Sequence, residues 1–166
     1  MNHGSHVAGY NTVVTFNLRD YQPEDFDTLW KIDQQCFAPG IAYSRFELKI
    51  YLRRRTSFSL IAELDSGLIA GFVVAETGRR RAGHIITIDL LPDTRRLGIG
   101  SKLLQAAEAR LCAAGSERVA LETAVDNASA IAFYKRHGYF LVKTIPRYYS
   151  NGVDALVMHK DLAVTP

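Results

Sequence analysis

Between His84 and Leu91 the chain carries a run of β-branched and aliphatic residues that predicts a strand, and Pro92-Asp93-Thr94 ends it by withdrawing a backbone donor. After a short turn, Ile99, Leu103, Ala107 and Leu111 recur at four-residue steps with Leu104 beside them. Lys102, Gln105, Glu108 and Arg110 fall on the other side. This spacing predicts an amphipathic helix over 98–114, one stripe against a sheet and those four polar residues in water. Downstream the pattern gives a strand over Val119–Thr123, a helix over 127–137, and strands near Tyr139–Ile145 and Val153–Lys160. Gly115 and Gly138 follow the two helical patterns where left-handed caps belong. Asn151-Gly152 predicts the turn between the last two strands, inside a connection from Pro146 that is longer than a minimal hairpin.

Upstream, Thr12–Leu18 alternates as a strand would. Pro23 opens a helix bearing Phe26, Leu29, Trp30, Ile32 and Phe37, which Pro39-Gly40 ends. Ser44, with Glu47 three residues on, predicts the capped start of a second helix through Phe46, Leu48, Ile50, Tyr51 and Leu52 to a basic end at Arg53–Arg55. Phe58–Leu64 and Leu68–Thr77 flank Asp65-Ser66-Gly67 as an antiparallel hairpin, and the loop Gly78–Gly83 returns the chain into His84–Leu91. The first half is therefore an antiparallel meander. The second half switches to strand, helix, strand, which implies a right-handed parallel crossover.

At 166 residues and 48% hydrophobic, the chain suits one domain with a sizeable core, assigned to 12–166. Residues 1–11, polar, glycine-bearing and rich in histidine, read as a flexible N-terminal segment outside the fold. A net charge of +3 does not argue for nucleic acid, and Arg53–Arg55 and Arg79–Arg81, without interleaved aromatics, read as solvated surface. Cys36 and Cys112 lack paired spacing and the five histidines do not cluster, so neither a disulfide framework nor a metal site is expected. Both cysteines read as buried apolar residues, Cys112 in helix core. The pattern contains no membrane-length apolar run and no signal-peptide core, so a cytoplasmic protein without a membrane partner is expected.

The turn that joins the strand to the amphipathic helix, Arg95-Arg96-Leu97-Gly98-Ile99-Gly100-Ser101, is doubly basic and glycine-spaced. Helix-start N–H groups carry partial positive charge, glycines let a ligand approach them, and two arginines suit a pyrophosphate. A glycine-rich turn with surface arginines fits the same letters equally well. A phosphate-binding Walker loop is excluded because no Gly-Lys-Ser/Thr ending follows, and a dinucleotide fingerprint lacks its third glycine. Arg95-x-x-Gly98-x-Gly100 resembles the acyl-coenzyme A signature of the GCN5-related N-acetyltransferases (GNAT), Gln/Arg-x-x-Gly-x-Gly/Ala. That resemblance implies an acetyl-CoA cosubstrate held at Arg95–Ser101, with backbone at Leu90 and Leu91 holding its pantetheine arm. It also implies a three-layer α/β fold, a mixed six- or seven-stranded sheet with helices on both faces, splayed beside the anion turn.

Acetyl transfer from a thioester to an amine needs a base, a polarised carbonyl and a proton for the departing thiolate. Tyr134, on the helix over 127–137, is a candidate acid, since a phenol near pKa ~10 keeps its proton until a thiolate near ~8.5 develops; a tyrosine packed on the core explains it as well. Glu122 is a lone carboxylate on the face of its strand opposite Val119, Leu121 and Thr123. It is either a solvated glutamate or, at the parting of two strands, a base. His84 is a second candidate base, and Asn127 can cap a helix and read a cofactor amide.

Leu121–Asn127 with Ala130, Phe133-Tyr134 and His137-Gly138-Tyr139 resembles the ribosomal-protein alanine acetyltransferase branch. The resemblance maps the general base onto Glu122, the cofactor-contacting Asn onto Asn127 and the general acid onto Tyr134. His84–Ser101 and Tyr148–Met158 also resemble the protein N-terminal acetyltransferases, whose base tyrosine falls at His84 and whose histidine falls at Glu122. In those relatives paired tyrosines line the peptide slot, which maps onto Tyr148 and Tyr149 and, loosely, onto the loop from Phe37 to Tyr43. The function implied is N-acetyl transfer to a protein or peptide N-terminal α-amine. A small-molecule amine acceptor, or a non-catalytic CoA-binding regulatory domain, are the alternatives.

Overall fold

The structure is a computed structural model that describes residues 13–163, so the segment 1–11 and the proposed strand start at Thr12 lie outside the described residues. Seven strands form one sheet: β1 (Phe16–Asp20), β2 (Ser57–Leu64), β3 (Ile69–Thr77), β4 (Ala82–Leu90), β5 (Arg118–Ala124), β6 (Phe140–Ile145) and β7 (Ala155–Asp161). Four helices cover it: α1 (Phe26–Cys36), α2 (Arg45–Arg53), α3 (Ile99–Ala113) and α4 (Ala128–Arg136). The strand order is β1-β2-β3-β4-β5-β7-β6. Among the described residues only β4 and β5 pair in parallel, across the α3 crossover, and the meander from β1 to β4 is antiparallel throughout.

The sheet is buried on both faces at its centre, which explains why β3 reads as a continuous apolar run. On one side Leu103, Leu104, Ala107 and Leu111 of α3 pack with Val73, Ala75, Ile85, Val119, Leu121 and Met158. On the other, Phe26, Leu29 and Ile32 of α1 and Leu48 of α2 pack with Ile61, Phe72 and Val74. Neighbouring β3 residues thus serve opposite faces, as the two-residue period of a strand requires.

Several boundaries differ from the sequence expectation for identifiable reasons. β1 begins at Phe16, where pairing with Leu64 starts, and Val13 before it stands exposed. Pairing carries the strand on to Asp20 opposite Leu60 despite the polar sequence. α1 stops at Cys36, because Phe37 already adopts extended backbone ahead of Pro39. Ser44 does cap α2, accepting the Glu47 N–H while Glu47 reaches back to the Ser44 N–H. In the last connection the turn is closed by the Gly152 N–H to Tyr149 O at 2.9 Å, so Ser150-Asn151 form its centre and Gly152, at φ +85°, ends it.

Two side chains of α3 depart from the predicted face. Glu108 is buried, accepting from the Tyr139 hydroxyl at 3.2 Å and from Lys160 Nζ at 2.6 Å. It follows Leu104 by four residues, at the margin of the stripe, and two partners compensate its lost hydration. Cys112 is half-buried rather than core, and Cys36 likewise. Among the described residues no helix is long and apolar enough to cross a membrane.

Candidate active site

β4 and β5 run side by side only from Ala82, Gly83 and His84 against Arg118, Val119 and Ala120; beyond that they part. Glu122 lies on β5 just past the parting and His84 at its last paired position. His84 Nε2 and Glu122 Oε2 are 2.6 Å apart, and His84 Nδ1 stands 3.6 Å from Glu76 Oε1 on β3. The two candidate bases are therefore one unit, flanked by a second carboxylate. Desolvation works to lower the His84 pKa, but the Glu122 hydrogen bond and the charges of Glu122 and Glu76 outweigh it and hold it above 6.5. Arg54 continues the array, reaching Glu76 at 3.2 Å.

The basic turn sits at the other end of β4. Gly98 is the N-cap of α3 at φ +82°, offers no side-chain cap, and a Cβ there would meet nothing within 4 Å. Arg95, Arg96 and Leu97 are exposed beside it. Uncapped N–H groups, two guanidiniums and open space fit an anion such as a pyrophosphate. Gly100 serves a different need than expected: it is buried, and a Cβ there would stand 3.1 Å from Leu90 Cδ1 and near Phe133, so its smallness seats α3 against its neighbours. Ile99 is core, contributing only backbone to the turn. Ser101 Oγ donates to His137 Nε2 at 2.9 Å, while His137 Nδ1 donates to Phe133 O at 2.7 Å.

Leu90 and Leu91 divide. The Leu91 N–H donates to Ala70 O at 2.8 Å and its carbonyl accepts from Thr94, so Leu91 backbone is committed to the protein. By strand alternation Leu90 faces the edge that β5 has left. Its carbonyl also accepts from Cys36 Sγ at 3.2 Å, and burial pushes that thiol up to about 11.

Tyr134, on α4, is buried, and desolvation pushes its phenol above 10. Its proton is thus held firmly. Asn127 caps α4, its Oδ1 accepting from the Ala130 N–H at 3.2 Å. Tyr148 and Tyr149 form an edge-to-face pair 5.0 Å apart, both within the field of Glu122. Tyr43, within the field of Tyr148, packs edge-on to Tyr51 at 5.2 Å. Phe37 is half-buried at the end of α1.

Sequence reasoning passed over Tyr51, Glu76, and two buried acids, Asp33 of α1 and Asp89 of β4. The acids had a signal: Asp33 shares the apolar stripe of Leu29, and Asp89 falls between the apolar Ile88 and Leu90. Tyr51 and Glu76 had none, since their neighbours come from other elements. Among the described residues no group of three or more His, Cys, Asp or Glu side chains could hold a metal ion.

A sequence profile of the acetyltransferase (GNAT) family matches residues 21–139. An N-alpha-acetyltransferase of Sulfolobus acidocaldarius is 39% identical over 157 residues, covering 87% of this chain and 92% of its own. N-alpha-acetyltransferase 30 of Schizosaccharomyces pombe is 33% identical over 117 residues, covering 68% of this chain and 77% of its own. The crystal structure of Ard1 from Thermoplasma volcanium superposes with a TM-score of 0.81 at 25% identity, covering 89% of this chain and 98% of that one.

Proposed function

Because the chain belongs to the acetyltransferase (GNAT) family and is an acetyl-CoA-dependent enzyme, we propose that it acetylates the α-amine at the N-terminus of a protein or peptide, with Glu122 as base and Tyr134 as acid. The observation that carries this reading is the parting of β4 and β5, where the Glu122–His84 unit faces the tyrosine pair of the last connection. The names of the relatives, N-alpha-acetyltransferases, support the acceptor class.

The turn Arg95–Ser101 would hold the cosubstrate pyrophosphate, Leu90 its pantetheine arm, and Asn127, whose Oδ1 is engaged in capping, would turn its amide Nδ2 to it. Bound there, acetyl-CoA supplies a thioester carbonyl and a thiolate leaving group. An α-amine has a pKa near ~8, so a carboxylate paired with a histidine is base enough to take its proton as the C–N bond forms. Tyr134 gives its proton to sulfur as the C–S bond breaks. A cytoplasmic setting suits this chemistry, since it keeps the free thiols Cys36 and Cys112 reduced.

Gly98→Asp is expected to weaken acetyl-CoA binding by about tenfold or more, since it sets a negative charge in the open space beside the helix start. Gly98→Ala, which adds only the strain of a left-handed residue, should bind much better. Calorimetry decides, and equal affinity in wild type and Gly98→Asp would remove the cosubstrate from this turn. The acceptor is tested by Tyr148→Ala and Tyr149→Ala: each should raise the KM for a peptide N-terminus while leaving acetyl-CoA affinity intact. Aromatic residues rather than carboxylates dominate this wall, which disfavours capture of several positive charges. Unchanged peptide acetylation in both variants, or a polyamine acetylated far faster than any peptide, would shift the assignment to a small-molecule amine.

A further inference from the structure

Asp33 and Asp89 are both fully buried, and each has one oxygen engaged by ordinary donors. Asp33 Oδ2 accepts from the Tyr43 N–H at 2.8 Å and from Gln34 Nε2 at 3.1 Å. Asp89 Oδ1 accepts from the Thr87 hydroxyl. The remaining oxygens, Asp33 Oδ1 and Asp89 Oδ2, are buried without a donor from any other residue, and each carboxyl shifts the ionisation of the other. Two fully buried carboxyls that lie in each other's field, each with an oxygen lacking any donor, do not both ionise, so the pair keeps one proton. Asp89 carries it, because burial and the adjacent Asp33 charge push its pKa well above the ordinary carboxylate range. Around the pair, Arg95 favours ionisation of Asp89 and Glu47 opposes that of Asp33, while Cys36, Tyr43 and Tyr134 remain neutral.

A buried acid pair is a poor source of stability, since apolar side chains of equal volume avoid the desolvation. Its geometry serves another end. Asp33 holds the Tyr43 N–H, and the Tyr43 carbonyl accepts from Trp30 Nε1 at 3.2 Å and Gln34 Nε2 at 2.8 Å. The Tyr43 hydroxyl reaches Ile86 O on β4 at 3.4 Å. Asp89 immediately precedes Leu90, the residue on the open edge of β4. The pair therefore ties one wall of the acceptor slot to the strand that faces the cosubstrate.

We propose that Asp33 and Asp89 are positioning residues for acetyl transfer: their shared proton clamps the loop bearing Tyr43 to the strand bearing Leu90 and so fixes the acceptor slot relative to the cosubstrate edge. This rests on the peptide slot assigned above. Asp89→Asn keeps the clamp, its amide donating to Asp33 and its carbonyl accepting from Thr87. Asp89→Ala leaves Asp33 Oδ1 without a partner. Asp89→Ala should raise the peptide KM about tenfold, with kcat at saturating peptide and the acetyl-CoA Kd held within about twofold, and Asp89→Asn should restore the wild-type KM. Should the alanine variant not fold, Asp33→Ala/Asp89→Ala, which strands no charge, replaces it with the same expected rise. Hydrogen exchange at the Tyr43 amide, read without any acceptor, should quicken in the alanine variant and not in the asparagine one. A wild-type peptide KM in the alanine variant, a matching loss of acetyl-CoA affinity, or an asparagine variant no better than alanine would overturn the clamp, as would an unchanged Tyr43 amide. Absence of peptide acetylation by the wild-type protein would instead overturn the acceptor assignment, leaving the amide measurement to judge the clamp.

Discussion

Replacing Tyr134 with Phe is expected to lower kcat by ~10²-fold or more with acetyl-CoA affinity nearly unchanged, because it removes a proton donor and keeps the buried ring. The ring packs edge-on to Phe133 at 5.3 Å and Tyr139 at 5.6 Å, contacts that Phe reproduces. Desolvation already holds the phenol above 10, so the donor is fully protonated across the neutral range and its loss should appear as a drop in rate without a shift in the acid limb. Pre-steady-state measurement of thiol release, under conditions where chemistry limits turnover, reads the effect. Undiminished release would assign Tyr134 to packing alone.

Glu122→Gln should have an effect of similar size, ~10²-fold in kcat, and its pH profile separates the two members of the Glu122–His84 unit. A base must be free of its proton. In the wild type, Glu122 and Glu76 hold His84 charged to a pH above 6.5, so the rate should climb as pH rises through the raised His84 pKa. In the glutamine variant the largest effect raising the His84 pKa is gone while the desolvation that lowers it remains, so histidine loses its proton at lower pH. If Glu122 accepts the amine proton, the variant stays slow at every pH. A variant with full turnover and an acid-shifted limb would assign the base to His84.

The central half of the fold was legible because its signals are local: the four-residue stripe of α3, the Ser44–Glu47 cap and the hairpin around Asp65–Gly67 each lie within one element. The basic turn, Glu122, Tyr134 and the tyrosine pair were singled out from motif and resemblance together, and their roles are proposals. What escaped is set by encounters across the sheet. Glu76 meets His84 only because β3 and β4 pair in that register, and Glu108 is buried only because Tyr139 and Lys160 arrive from the end of the chain. Gly100 looked like a ligand-facing glycine because spacing reveals proximity to a turn and not which side of the helix a missing side chain faces. Asp33 and Asp89 show in the pattern as acids among apolar residues, but the pattern does not name the partner that another element brings to each.

The insertion of β7 between β5 and β6 sets the order in which the catalytic parts can be assembled during synthesis. β5 leans on β4 only through residues 118–120, whereas β7 runs along its whole length, from Arg118 opposite Asp161 to Ala124 opposite Ala155. A nascent chain that has emerged as far as α3 already owns the meander and the anion turn, whose contacts are close in sequence and quick to form. Glu122 gains its firm backing only when the final strand slides in beside it, after the Tyr148–Tyr149 wall has been made. The basic turn and the strand of Glu122 are therefore completed one after the other as the chain is made.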